Sequence, residues 1–195
     1  MNKLHEKEGK LMKNKLMIDL ETTGTRPGCR VLSIGAFGFG KDGQQVQFYR
    51  RLRIAEQAYN GLVDEPATLK WWGEKAADVR DEAFSGQDDT NVAIAEFKHF
   101  FYKNFDIGKD KNFQAWSCGI DFDFPILQHL FFIYGHKMLP WFFYTQRDYR
   151  TIRDTFPGII AAEATNEQTK HSAIEDAKAQ MRGLRKFYED HPEAI

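Results

Sequence analysis

The chain has 195 residues, of which 42% are apolar and 17 are phenylalanine, enough material for one domain with a buried core. A formal net charge of -1 excludes a bulk polycation, so any nucleic-acid contact must rest on a local patch or on metal ions. No segment approaches the roughly 18 continuous apolar residues of a membrane span, which predicts a soluble protein that does not engage a membrane. Cys29 and Cys118 lack a paired spacing and fit free thiols in a reducing cytoplasm.

Residues 1–14 are rich in lysine and glutamate and lack an apolar secretion core, so they are expected to form a polar N-terminal extension. Residues 15–195 then make a single domain. Lys15 to Thr22 is the first strand and Arg30 to Phe39 the second. Gly40-Lys-Asp-Gly43 signals a hairpin into a third, antiparallel strand from Gln45 to Ile54. Pro66 can open a short helix through Trp71 and Trp72. Asp89, Thr90 or Asn91 can cap a longer helix to about Asn104. A short strand is expected over Asn112 to Ser117, and a helix from Phe122 to Tyr134 closed by Gly135. Pro140 to Thr145 is aromatic and reads as a strand, and Asp148 to Phe156 as a helix stopped by Pro157-Gly158. Gly158 to Lys170 reads as a loop, and Ser172 to Asp190 as the final helix. A meander followed by alternating helices and strands predicts a mixed-sheet α/β domain flanked by helices.

Three places in this chain carry chemistry. Asp19 interrupts the first strand, and Glu21 follows two residues on, so both carboxylates share one face of it. Two carboxylates at the end of a core strand are costly unless a cation neutralises them. Thr22, Thr23 and Gly24 turn the chain there, where backbone could approach a ligand. A strand running out into a solvated acidic turn would give the same pattern. Asp121 and Asp123 lie between the short strand and its helix, where either could cap the helix or hold a metal. Ser172 and Glu175 have the spacing of a capping box, which leaves His171 just ahead of the last helix and Asp176 in its first turn.

Taken together, these segments resemble the DEDDh exonucleases, the RNase H-like 3′-to-5′ family. Asp19, Glu21, Thr22 and Gly24 match its Asp-x-Glu-Thr-x-Gly motif, Phe122 and Asp123 its Phe-Asp pair, and His171 and Asp176 its His-x-x-x-x-Asp motif. The likeness runs from Lys15 to about Tyr188. Trp71-Trp72, the Phe-Asp-x-Pro-Ile-Leu form and Gln146-Arg-Asp-Tyr-Arg150 are similar to a short bacterial and bacteriophage branch. That branch includes mycobacterial-type 3′-5′ exoribonucleases and the phage exonuclease A group. Gly119 departs from the family pattern, standing where the commoner second motif has Asn.

The resemblance implies an RNase H-like mixed five-stranded sheet, an antiparallel meander followed by parallel strands. It implies Asp19, Glu21, Asp123 and Asp176 as ligands of two Mg²⁺ or Mn²⁺ ions, Asp19 bridging, with His171 as general base. It implies cleavage of single-stranded nucleic acid from a 3′ end to nucleoside 5′-monophosphates, in the cytoplasm of a bacterium or a phage-infected host. RNA is favoured over single-stranded DNA, and a homodimer is admitted. Thr22, Thr23 and Gly24 would form the pocket for the terminal nucleotide. Trp71 or Trp72, with Trp72 first, is a candidate for stacking on a base. Arg50, Arg51, Arg53, Arg147 and Arg150, with Arg147 first, are candidates for phosphate contacts. Two readings compete: a non-catalytic nucleic-acid-binding module on the same fold, which should have lost some of the acids or the histidine although all five are present, and a small phosphohydrolase or a protein with a purely structural cation, which would melt in a metal-dependent way without acting on polymers.

Overall fold

The computed structural model describes residues 9, 11–106, 112–163 and 171–194. Its five-stranded sheet has the order β3-β2-β1-β4-β5, which puts β1 (Lys15–Thr22) at the centre. β2 (Val31–Phe39) and β3 (Gln45–Arg51) continue antiparallel from β1. β4 (Gln114–Ser117) and β5 (Gln146–Asp148) lie parallel on its other side. The expected meander with added parallel strands is what forms.

Alternation along β1 sorts its side chains to two cores. Leu16, Ile18 and Leu20 enter one, with Phe97 and Phe101 of a helix over Thr90–Asn104 and Leu127 and Leu130 of another over Asp123–Ile133. Met17 enters the other, with Met181, Leu184 and Tyr188 of the last helix, Ala173–Asp190. Asp19 and Glu21 continue the face of Met17 and so come under the start of that last helix. Gly35, opposite Asp19 on β2, makes this possible: a Cβ there would lie 2.2 Å from the carbonyl carbon of Ala173. Backbone of the helix start rests directly on the sheet.

Among the described residues after Lys15, the α-helices in chain order are α1 (Ile54–Tyr59), α2 (Pro66–Gly73), α3 (Ala77–Phe84), α4 (Thr90–Asn104), α5 (Asp123–Ile133), α6 (Tyr149–Thr155) and α7 (Ala173–Asp190). Several differ from the sequence reading. The third strand ends at Arg51, and Ile54 opens α1 instead. The cause is tertiary: buried Gln57 accepts from the Val31 N–H (2.9 Å) and donates to the Val31 carbonyl (2.8 Å), locking α1 to the start of β2. α3 was not expected, because Ala83 is its only buried residue and its stripe is too thin to register. The strand expected over Pro140 to Thr145 is a 3-10 turn at Phe143–Thr145, and the pairing moves on to β5. Trp141 is buried but Phe143 is 82% exposed, so the aromatic run has no alternating face to hide. Pro157–Glu163, expected as loop, is also 3-10, and residues 164–170 of that stretch lie outside the described residues.

Within the segment expected as a polar extension, Met12 is fully buried and Leu11 packs beside it in the second core. Residues 1–8 and 10 lie outside the described residues. Both cysteines are free thiols. Among the described residues, no helix is long and apolar enough to cross a membrane.

Candidate active site

The C-terminal end of β1 carries Asp19 and Glu21 into a pocket of about 660 Å³. Asp123 joins them from α5. It is 2% exposed, and its Oδ1 accepts from the N–H of Leu20, the residue between the two β1 acids, at 3.1 Å. Neither aspartate caps α5: the N-cap is Phe122, with no side-chain cap bond, and Asp121 is exposed. The second acidic cluster therefore resolves to one inward carboxylate, tied to the central strand.

Asp176 arrives from the first turn of α7. The expected capping box is not made: Ser172 forms no side-chain cap bond, and Glu175 pairs with Lys178 at 2.8 Å. Asp176 reaches back instead, its Oδ2 accepting from the N–H of His171 at 3.2 Å. His171 sits in the left-handed region at φ 67°, which turns the chain sharply into the helix. Its ring lies edge-on to Trp71, with centroids 4.9 Å apart. Potential ligand atoms of Glu21, His171 and Asp176 all lie within 4.8 Å of one another.

Electrostatics reports the same convergence. Burial, and then the charges of Asp123, Glu21 and Asp176, hold the Asp19 carboxyl well above the usual carboxylate range; an amide from Gln180 opposes this. Burial, Asp176 and Asp123 push Glu21 up to about 8. Burial pushes Asp123 up to about 7, against the N–H of Leu20. Acids that resist ionisation together have a shared need for positive charge. The converging acids present oxygen donors, the hard ligand set that Mg²⁺ or Mn²⁺ prefers. The residues present fit such ions.

The substrate-side residues divide. The Thr22–Gly24 turn lines the pocket, with the Thr22 hydroxyl donating to the Gly24 carbonyl at 2.6 Å. Thr23 does not line it: its side chain is fully buried and turns toward the Arg30 carbonyl. Trp72 is 1% exposed, packs with Leu32, and donates its Nε1–H to the Thr22 carbonyl at 2.9 Å. It shapes the turn and offers no face to a base. Trp71, 39% exposed, presents the accessible ring and carries the Lys75 ammonium 3.9 Å from its centroid. Arg147 lies off the pocket, donating to the carbonyls of Tyr144 and Gln146; the arginine that lines the pocket is Arg150. Sequence reasoning missed Gln180, which donates to Asp19 Oδ1 at 2.9 Å. Its position four residues after Asp176 puts it on the same helix face, the signal that could have found it.

Comparison with known proteins first gives the class. The chain carries a 3′-5′ exonuclease domain of the DEDDh, RNase H-like type. Residues 14–187 match the 3′-5′ exoribonuclease Rv2179c-like domain, and the chain belongs to that family. An exodeoxyribonuclease of Enterobacteria phage T4 is 25% identical over 159 residues, which covers 69% of this chain and 68% of that protein. Exonuclease I of E. coli, solved with an oligonucleotide, shares the fold at a TM-score of 0.61 and 14% identity over 92% of this chain. Cell-death related nuclease 4 does so at a TM-score of 0.56 and 13% identity over 90% of this chain. This chain spans 41% of the length of the former and 64% of the latter.

Proposed function

We propose that this protein removes nucleoside 5′-monophosphates from the 3′ end of single-stranded nucleic acid in a divalent-metal-dependent hydrolysis, with RNA as the favoured substrate. The observation that carries the reading is the meeting of Glu21, His171 and Asp176 within 4.8 Å, beside Asp19 and Asp123. The exoribonuclease family it belongs to supports RNA. The phage relative, named an exodeoxyribonuclease, supports a second reading with single-stranded DNA as the substrate.

Asp19, Glu21, Asp123 and Asp176 would hold the ions. Divalent cations held there would supply Lewis-acid charge to the scissile phosphate. His171 takes the proton of the attacking water, a general-base task for which an imidazole nitrogen is suited. The new P–O bond forms as the bond to the upstream 3′-oxygen breaks, and that oxygen leaves as a hydroxyl after taking up a proton. The turn from Thr22 to Gly24 receives the terminal nucleotide, and Trp71 offers its exposed ring to a base. The reading places the enzyme in the cytoplasm of a bacterial or phage-infected cell. Pairing of two copies is checked by light scattering, one chain's mass against twice that mass.

The test uses 5′-labelled single-stranded RNA and DNA with Mn²⁺. The expected product is a ladder shortened from the 3′ end, abolished in Asp19→Ala and His171→Ala proteins that still fold. Failure to shorten either polymer removes the nuclease reading. Binding without cleavage would favour the non-catalytic module.

A further inference from the structure

Gly119 has φ 122°, and a Cβ built on it would lie 3.0 Å from Nη2 of Arg150. The missing side chain makes room for the guanidinium to lie over this turn, where Nη2 donates to the Cys118 carbonyl at 2.8 Å. Asp148 secures both partners. Its Oδ1 accepts from the N–H groups of Gly119 (3.0 Å) and Ile120 (3.3 Å). Its Oδ2 accepts from the N–H (3.1 Å) and hydroxyl (2.6 Å) of Thr151, fixing the first turn of α6 that carries Arg150. The result is an exposed but positioned cation on the pocket wall, with no ion pair to any described residue.

One role for such a cation would be to neutralise the acids. Its charge does reach Asp123, where it ranks behind burial and two backbone N–H bonds, but no ion pair joins the two, so the exposed guanidinium is left for another anion. Sheet order gives its location. The Thr22–Gly24 turn and Trp71 join the β2 side of β1, where Trp72 packs on Leu32. Arg150 comes from beyond β5, on the opposite side of the β1 carboxylates. A strand whose last nucleotide sits in the turn crosses the acids at the bond to be cut and continues toward Arg150.

We infer that Arg150, admitted by Gly119 and aligned by Asp148, holds a phosphodiester of the strand upstream of the bond that is cut. This rests on the nuclease reading for the direction of the strand. A planar guanidinium suits a phosphate as a two-point donor, and the contact is independent of base identity.

The test is equilibrium binding with Ca²⁺ in place of Mn²⁺, using a labelled single-stranded oligonucleotide and, separately, a nucleoside 5′-monophosphate. Wild type, Arg150→Ala and Arg150→Lys are compared across a salt series. Arg150→Ala should weaken oligonucleotide binding roughly tenfold, and Arg150→Lys should recover part of it. The slope of log K against log salt should fall by about 0.7, one single-strand phosphate. Mononucleotide affinity should stay within about twofold, because that ligand has no upstream phosphate. Gly119→Ala should reproduce the pattern by displacing the guanidinium. Undiminished oligonucleotide binding, or an equal loss for both ligands, would overturn the inference. A wild-type protein that binds the strand but never shortens it would sink the nuclease reading, with the Arg150→Ala loss then showing a phosphate contact but not its place upstream of a cut; one that binds no strand sinks both.

Discussion

Gln180 donates its side-chain amide to Asp19 across 2.9 Å, linking the middle of the last helix to the acid at the centre of the sheet. The Oε1 of the same amide is buried without a hydrogen-bond partner among the described residues. The bond through its other end orients the Asp19 carboxylate, which would hold metal. Groups that orient metal ligands typically contribute about 10–100-fold to metal affinity. Gln180→Ala should therefore raise the Mn²⁺ concentration needed for half-maximal activity by about tenfold, with little change in rate at saturating metal. A metal titration of the nuclease assay checks this.

Gly35 should tolerate no side chain. A Cβ 2.2 Å from the Ala173 carbonyl carbon must lift the start of α7 off β2 and carry His171 and Asp176 away from the β1 acids. Gly35→Ala is expected to cost about 1–3 kcal/mol by overpacking. Activity should fall further than stability does, and Mn²⁺ should no longer raise the melting temperature. Denaturant melts with and without Mn²⁺ separate the two effects.

Stability of the metal-free protein should fall as pH rises. Glu21 and Asp123 titrate above their unfolded values, at about 8 and about 7, so the folded state holds more protons than the unfolded one between the two ranges. Stability is then greatest below the unfolded carboxylate range and is lost as pH climbs through the folded values. A melting temperature lower by about 5 °C at pH 8 than at pH 5, in chelator, corresponds to roughly 1–2 kcal/mol. Saturating Mn²⁺ should flatten the profile. Asp19→Asn should raise the chelator melting temperature at pH 8 and lose most of the response to metal.

The adjacent tryptophans should behave oppositely. Trp72→Ala removes a buried ring and its hydrogen bond to the Thr22 carbonyl, and should cost about 3–5 kcal/mol. Trp71→Ala should leave the melting temperature within about 2 °C, since its ring is half exposed, but raise KM for a single-stranded oligonucleotide several-fold. Thermal melts beside steady-state kinetics distinguish them.

The sequence by itself determined the central strand and the two ends of the site. Period-two alternation is a local property, so it puts Asp19 and Glu21 on one face whatever surrounds them. Helix starts are local too, which is why His171 and Asp176 could be placed at the head of the last helix, although the Ser172–Glu175 cap inferred there does not form. The tertiary structure decided everything that depends on which neighbour arrives. Two adjacent tryptophans both border the pocket, and only packing against Leu32 buries the ring of Trp72 while that of Trp71 stays exposed. Arg147 and Arg150 are equally basic in sequence, but β5 points one away and the space above Gly119 admits the other. Gln57, Gln180 and Asp148 are ordinary polar residues until a distant backbone group or carboxylate meets them. Periodicity is written in a few consecutive residues, whereas these contacts join positions far apart in the chain that only the folded packing brings together.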